Sequence, residues 1–162
     1  MQNACIAPTP LLTGYIPLEH TGPVDPVRRL KFQSVIGSLL YLMLGTRPDI
    51  AYAVIKMSQF SANPSQEHLD EAMYIMRYLV GTQAYEIVCD GKKSESLIGY
   101  ADSDWSADTL KRCSTTGYFA MLASGIVTWL SRLQKTIVLS STEAEYMALS
   151  VTDCTGGGGR RS

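Results

Sequence analysis

The sequence is short of the residues that build metal and disulfide frameworks. It holds four cysteines and two histidines in 162 residues. Cys5, Cys89, Cys113 and Cys154 form no C-x-x-C pair, and His20 and His68 stand far from one another and from them. That spacing argues against a structural zinc site and reads as reduced thiols in an intracellular protein. A charge excess is missing too: 14 Lys and Arg against 15 Asp and Glu give a net charge of −1. A nucleic-acid partner would therefore have to be met by a local patch. No apolar run approaches the length of a membrane span, so no membrane partner is expected. A signal peptide is not expected either, because Pro8, Pro10 and Pro17 interrupt the apolar residues near the N-terminus. What is present is the composition of a folded chain, 46% hydrophobic and 18% charged, of a length that suits one full domain or two partial ones.

Five of the seven prolines fall at positions 8, 10, 17, 23 and 26. Residues 1–26 therefore read as an extended lead-in with few internal contacts. From Val27 the pattern becomes helical. Phe32, Val35, Ile36, Leu39, Leu40 and Met43 share a face, and Gly45 is the expected stop. Thr46-Arg47-Pro48-Asp49 carries the start signals of a second helix, through Ile50, Val54 and Met57 to about Ser61. Asn63-Pro64-Ser65-Gln66 predicts a third, with Asn63 as its cap. Its apolar stripe is expected at Leu69, Ala72, Met73, Met76, Leu79 and Val80. Met43, Met57, Met73 and Met76 are expected to fill the core, and His68 to be a solvated surface residue.

At Tyr85 the period becomes two. Strands are expected at 85–89, 97–102, 117–122 and 126–129, then again at 136–139. Ala123-Ser124-Gly125 is the turn of a hairpin, residues 103–115 a polar loop, and Ser131 to Lys135 an interruption read as a bulge. Ser140 with Glu143 makes a capping box, and Ala144, Met147, Ala148 and Val151 are the stripe of a last helix. The glycine-arginine tail, 155–162, fits no regular element. It does not read as a phosphate loop, since no Lys-Ser/Thr pair or helix follows it.

The chemistry concentrates in two acidic stretches. Ile98-Gly-Tyr-Ala-Asp-Ser-Asp104 reads as a short buried strand that delivers Asp102 and Asp104 at its end. Ser140-Ser-Thr-Glu-Ala-Glu-Tyr146 carries Glu143 and Glu145 on a helix. If that helix packs across the sheet, Asp102 and Glu145 can share a divalent ion, and magnesium suits a few carboxylates plus water and phosphate oxygens. Glu143 is better explained as a cap. Asp104 remains open between a solvated loop acid and a catalytic one.

These stretches, together with Arg112-Cys-Ser-Thr-Thr-Gly-Tyr118 and the Trp129 to Gln134-Lys135-Thr136 segment, resemble the ribonuclease H domain of copia-type LTR-retrotransposon polyproteins. Upstream, Ser34 to Leu42, Thr46-Arg-Pro-Asp-Ile-Ala-Tyr-Ala53 and His68 through Thr82 resemble the segment that leads from the reverse transcriptase palm into ribonuclease H. The resemblance covers roughly residues 15–154, in family order. It implies an α+β chain: a helical reverse-transcriptase thumb or connection segment at 27–84, then a truncated ribonuclease H-like fold at 85–154, with three antiparallel strands and the first helix. It also implies Asp102 and Glu145 as catalytic ligands of Mg2+ (or Mn2+), an RNA–DNA hybrid as substrate, and the missing polymerase domain as partner. Ser141 and Thr142 fall where relatives contact the minor groove of the hybrid. Arg112, Trp129, Arg132 and Lys135 are candidate backbone contacts, with an ordinary surface role open for each cation and a core role for Trp129.

The same resemblance marks departures. Relatives carry a third metal-binding Asp on the next strand and a further acidic residue beyond it, and Asp153, still on or beside the helix, does not replace them. The expectation is a chain inactive or nearly so. Two other readings compete with it: a non-catalytic remnant that binds nucleic acid or protein, and a phosphatase-type Asp-Ser-Asp nucleophile. The second lacks the Thr or Val that its motif needs, having Ser106 in that place, and lacks the later acidic pair.

Overall fold

The computed structural model describes residues 6–12, 14–89, 97–104, 115–122 and 124–133. The chain forms an α+β arrangement in two compact units, Met1–Glu86 and Ile87–Ser162. The first is helical and the second contains an antiparallel sheet.

In the first unit α1 spans Pro26–Gly45. Asp25 caps it by accepting from the amides of Val27 and Arg28, and Pro26 occupies a position that needs no amide hydrogen. Its buried stripe is Phe32, Ile36, Leu39 and Met43, the i, i+4, i+7 spacing of a single helical face. A 3-10 turn at Pro48–Ile50 leads into α2, Ala51–Ser58. This helix buries Ala51, Ala53, Val54 and Met57. Gln33 on α1 donates to the Ser61 carbonyl at 2.9 Å and so fixes the far end of α2.

The third helix, α3, spans Gln66–Gly81. Its cap is Ser65 rather than Asn63. The Ser65 hydroxyl accepts from the His68 amide and the Ser65 amide donates to His68 Nδ1, both at 3.1 Å. Histidine thus takes the place that Glu or Gln holds in most capping boxes. Asn63 instead donates to the carbonyls of His20 and Gly22. His68 is 1% exposed, against the surface position expected for it. It stacks on Phe60 at 4.2 Å, a contact between elements that helical periodicity could not reveal. Burial lowers its pKa, with the Leu18 backbone and Glu67 partly offsetting that effect. The stripe of α3 is also turned from the one expected. His68, Leu69, Glu71, Ala72, Ile75 and Tyr78 are buried, while Met73, Met76, Leu79 and Val80 are half-buried. Met43 and Met57 do fill the core, and Met73 and Met76 lie at its margin.

The lead-in makes more contacts than its prolines suggest. Ala7 and Pro17 are buried, and the Leu12 amide donates to Glu71 Oε1 at 3.2 Å. Ile6 lies so close to Gly81 that any Cβ there would collide with it, which gives the glycine at the end of α3 a packing reason.

Among the described residues the second unit has three strands in the order β1-β2-β3, all antiparallel: β1 Ile98–Asp104, β2 Thr115–Leu122 and β3 Gly125–Leu133. Ser103 and Asp104, expected in a loop, continue β1. The strand is not the buried one expected: Ile98, Gly99, Tyr100 and Asp102 are exposed. Ser131 to Leu133, expected to interrupt, continue β3. The irregularity sits earlier: Ala120 pairs with Thr128 but Met121 with Ile126, so Val127 is the extra residue of a bulge. Ser124 makes the turn at a φ of 73°, the left-handed region that a non-glycine residue enters at some cost. Residues 85–89 do not form the expected strand. Tyr85 is held by the helical unit, as described below, and Cys89 packs against Gly125. The strand expected at 136–139, the last helix and the tail lie outside the described residues.

Candidate functional site

Alternation along β2 defines the two faces of the sheet. Thr116, Tyr118 and Ala120 are buried, and Gly117 and Phe119 point the other way. Directly opposed residues share a face. The pairs Asp102 with Gly117 and Gly117 with Ser131 therefore form one cross-strand row, and Tyr100, Phe119 and Trp129 form the next. Tyr100 and Phe119 stack at 4.9 Å. Asp102 is exposed on this face. Its neighbour Gly117 has no side chain, and a Cβ built there would meet nothing within 4 Å. Among the described residues, therefore, no β2 side chain stands directly opposite Asp102.

Trp129, half-buried, is on the Asp102 face. Arg132 pairs with Thr116 and so lies on the opposite face, where it is exposed. These two candidate contacts are not brought together. Arg112, Lys135, Ser141, Thr142 and Glu145 lie outside the described residues. Among the described residues no cluster of three or more His, Cys, Asp or Glu side chains could hold a metal ion. Of the two expected metal ligands only Asp102 lies among the described residues, and its carboxylate is the kind of hard oxygen donor a divalent ion takes.

A second polar constellation escaped the sequence reading, in which Arg47 figured only as part of a helix start. The Arg47 guanidinium donates to both Asp49 oxygens, at 2.9 and 2.7 Å. It also donates to the Thr82 carbonyl at 3.2 Å and the Thr82 hydroxyl at 2.6 Å. It lies 5.7 Å from the Tyr78 ring centre and 5.8 Å from that of Tyr85, within cation–π range. Tyr78 Oη donates to Asp49 Oδ2 at 3.0 Å. Burial pushes the Asp49 carboxyl up, but the Arg47 and Tyr78 hydrogen bonds outweigh it and leave the pKa lowered. The Arg47 pKa is raised, first by its hydrogen bond to Asp49. Burial and the bond to Asp49 raise Tyr78. Four of its five N–H donors thus face protein acceptors on Asp49 and Thr82, so the cluster is a lock between the 3-10 turn and the end of α3. The signal that could have found it is the Arg-Pro-Asp triplet, whose i, i+2 fork needs a third partner when buried.

No profile of a known family matches the chain, and no solved structure does. Individual proteins do. The secreted RxLR effector protein 161 of Plasmopara viticola is 43% identical over 124 residues, covering 76% of this chain and 87% of that protein. The retrovirus-related Pol polyprotein from transposon TNT 1-94 of Nicotiana tabacum is 40% identical over 158 residues, covering 94% of this chain. The retrovirus-related Pol polyprotein from transposon RE1 of Arabidopsis thaliana is 40% identical over 147 residues, covering 91%. The chain spans 12% and 10% of the lengths of those two polyproteins.

Proposed function

Because the chain belongs to the family of copia-type retrotransposon Pol polyproteins, of which it is a fragment, we propose that residues 85–154 derive from a ribonuclease H domain and residues 27–84 from the preceding reverse-transcriptase thumb or connection. The observation that carries this reading is Asp102 two residues before the end of β1, exposed and paired with a glycine on β2. In this proposal Asp102 and Glu145 hold a divalent ion, Mg2+ or Mn2+. The ion's chemistry would be to activate water and to neutralise charge on the scissile phosphate of the RNA strand in an RNA–DNA hybrid. Arg112, Trp129, Arg132, Lys135, Ser141 and Thr142 are the proposed contacts to that hybrid. Arg132 and Trp129 leave opposite faces of the sheet, so they would serve different parts of it. The polymerase part of the polyprotein is the proposed protein partner, in an intracellular setting. Among the described residues no helix is long and apolar enough to cross a membrane.

Two carboxylates hold one ion with water, whereas in-line cleavage between two ions asks for more ligands. The 162-residue chain assayed by itself is therefore proposed to bind metal weakly and to cut hybrid little or not at all. The test is calorimetric titration with Mg2+ and Mn2+, paired with hybrid cleavage, on the wild type and Asp102→Asn. Weak metal binding lost in the variant, without cleavage, is the expected result. Metal binding untouched by Asp102→Asn sinks the ligand assignment, and robust cleavage abolished by it sinks the inactivity. The alternative, a non-catalytic binding remnant, is favoured by the Tyr100–Phe119 stack on an exposed sheet face. It predicts hybrid or protein binding that Asp102→Asn leaves unchanged.

A further inference from the structure

Helix α1 has a second apolar stripe. Val27, Leu30, Ser34, Gly37, Tyr41 and Leu44 recur at steps of three and four residues, the spacing of a helix–helix seam. They lie on the side opposite Phe32, Ile36, Leu39 and Met43. The four large residues among them are strongly exposed: Val27 74%, Leu30 65%, Tyr41 81% and Leu44 66%. A stripe of this kind is where a partner helix packs, and its own pattern identifies the partner.

The stripe is a palindrome. An antiparallel copy centred between residues 35 and 36 places Val27 opposite Leu44, Leu30 opposite Tyr41, and Ser34 opposite Gly37. The two small residues meet at the centre, where helix axes must come closest, and a Cβ at Gly37 would meet nothing within 4 Å in the free chain. The Ser38 hydroxyl beside the seam is already satisfied by the Ser34 carbonyl at 3.0 Å. The charges agree with the antiparallel choice. The charged residues of α1 are Arg28, Arg29 and Lys31, all in its first third, and none follows Lys31. Parallel pairing would bring six cations to one end. Antiparallel pairing sets each basic third against an uncharged one and aligns opposed helix dipoles.

We propose that this face of α1 binds a second copy of the chain, α1 against α1, antiparallel about a two-fold axis near residues 35 and 36. An isologous contact of this kind makes residue i of one copy face one fixed residue j of the other, and j face i. The proposal is independent of the ribonuclease H reading, since it concerns only the helical unit.

The register can be tested by charge complementation on the full chain, with mass measured by sedimentation equilibrium at tens of micromolar and helicity by circular dichroism. The wild type is expected to dimerise. Leu30→Lys alone and Tyr41→Glu alone, both at exposed positions, should keep wild-type helicity and weaken the dimer at least tenfold. The double variant Leu30→Lys/Tyr41→Glu should regain most of the association, because each lysine then faces the other copy's glutamate. A wild type that stays monomeric overturns the proposal and leaves the face to another partner. A double variant no better than the singles overturns the antiparallel register. Loss of hybrid binding or cleavage in any variant bears on neither outcome.

Discussion

Replacing Arg47 with methionine keeps the aliphatic stem and removes every donor of the lock. Asp49 would retain the Tyr78 hydroxyl, and the Thr82 carbonyl and hydroxyl would lose the guanidinium. Breaking a buried ion pair from one side costs about 3–5 kcal/mol. Here the low end applies, because the Asp49 side chain is 30% exposed and water can replace part of what it loses, whereas that of Arg47 is only 10% exposed. At a urea dependence of about 1 kcal/mol per M for a small unit, a loss of about 3 kcal/mol lowers the unfolding midpoint by about 3 M. Helical ellipticity is the signal to follow, since the described helices all fall between Pro26 and Gly81. Tryptophan emission is not, because Trp105 and Trp129 both lie outside Met1–Glu86. Arg47→Lys should fall between the two, keeping the charge but losing the fork that reaches both Asp49 oxygens. A midpoint shift below about 0.5 M for Arg47→Met would refute the reasoning, because a surface pair is worth that little.

His68 should make the helical unit acid-sensitive. Its pKa is lowered in the folded state, so its contribution is complete above the unfolded value, near 6.5, and is lost as pH falls below it. Protonation also removes the Nδ1 lone pair that accepts from Ser65. Urea midpoints at pH 7 and pH 5 should therefore differ more for the wild type than for His68→Gln, which keeps a box-forming residue without a titrating ring. Equal differences would remove the histidine from the account. Gly117→Thr should stabilise the sheet by up to about 1 kcal/mol in thermal unfolding, through better strand propensity, while weakening any metal titration at Asp102 by placing a side chain opposite it. Unchanged metal affinity would show that the β2 side of Asp102 is not where an ion sits.

Local signals carried most of the helical boundaries. Gly45 and Pro48 act through backbone chemistry that needs no partner, and each falls at an element end, whereas the Asp25 cap and Pro26 start of α1 fall within the expected lead-in. The misreadings arose where a distant residue decided the outcome. Asn63, read as the cap of α3, is instead engaged by His20 and Gly22, over forty residues away, and Ser65 caps the helix. His68 looked like a surface residue because Phe60, the ring it stacks on, belongs to the preceding turn. Tyr85 has the alternation of a strand, but the ring sits over Arg47. For the candidate site, the strand carrying Asp102 was legible from its alternation and its polar end. That Gly117 faces Asp102 was not, because register is a property of a pair of strands.

The Arg47 lock also bears on how long the helical unit stays closed once formed. Its two sides are 35 residues apart in sequence, so a long loop must close before they meet. To the extent that the contact closes after the folding transition state, its energy falls on the unfolding rate rather than the folding rate. At tenfold per 1.4 kcal/mol, a lock worth about 3 kcal/mol lengthens the lifetime of the closed unit by up to about a hundredfold. A helical segment of modest equilibrium stability would then open rarely, and a protease that cuts only open chains would meet it seldom.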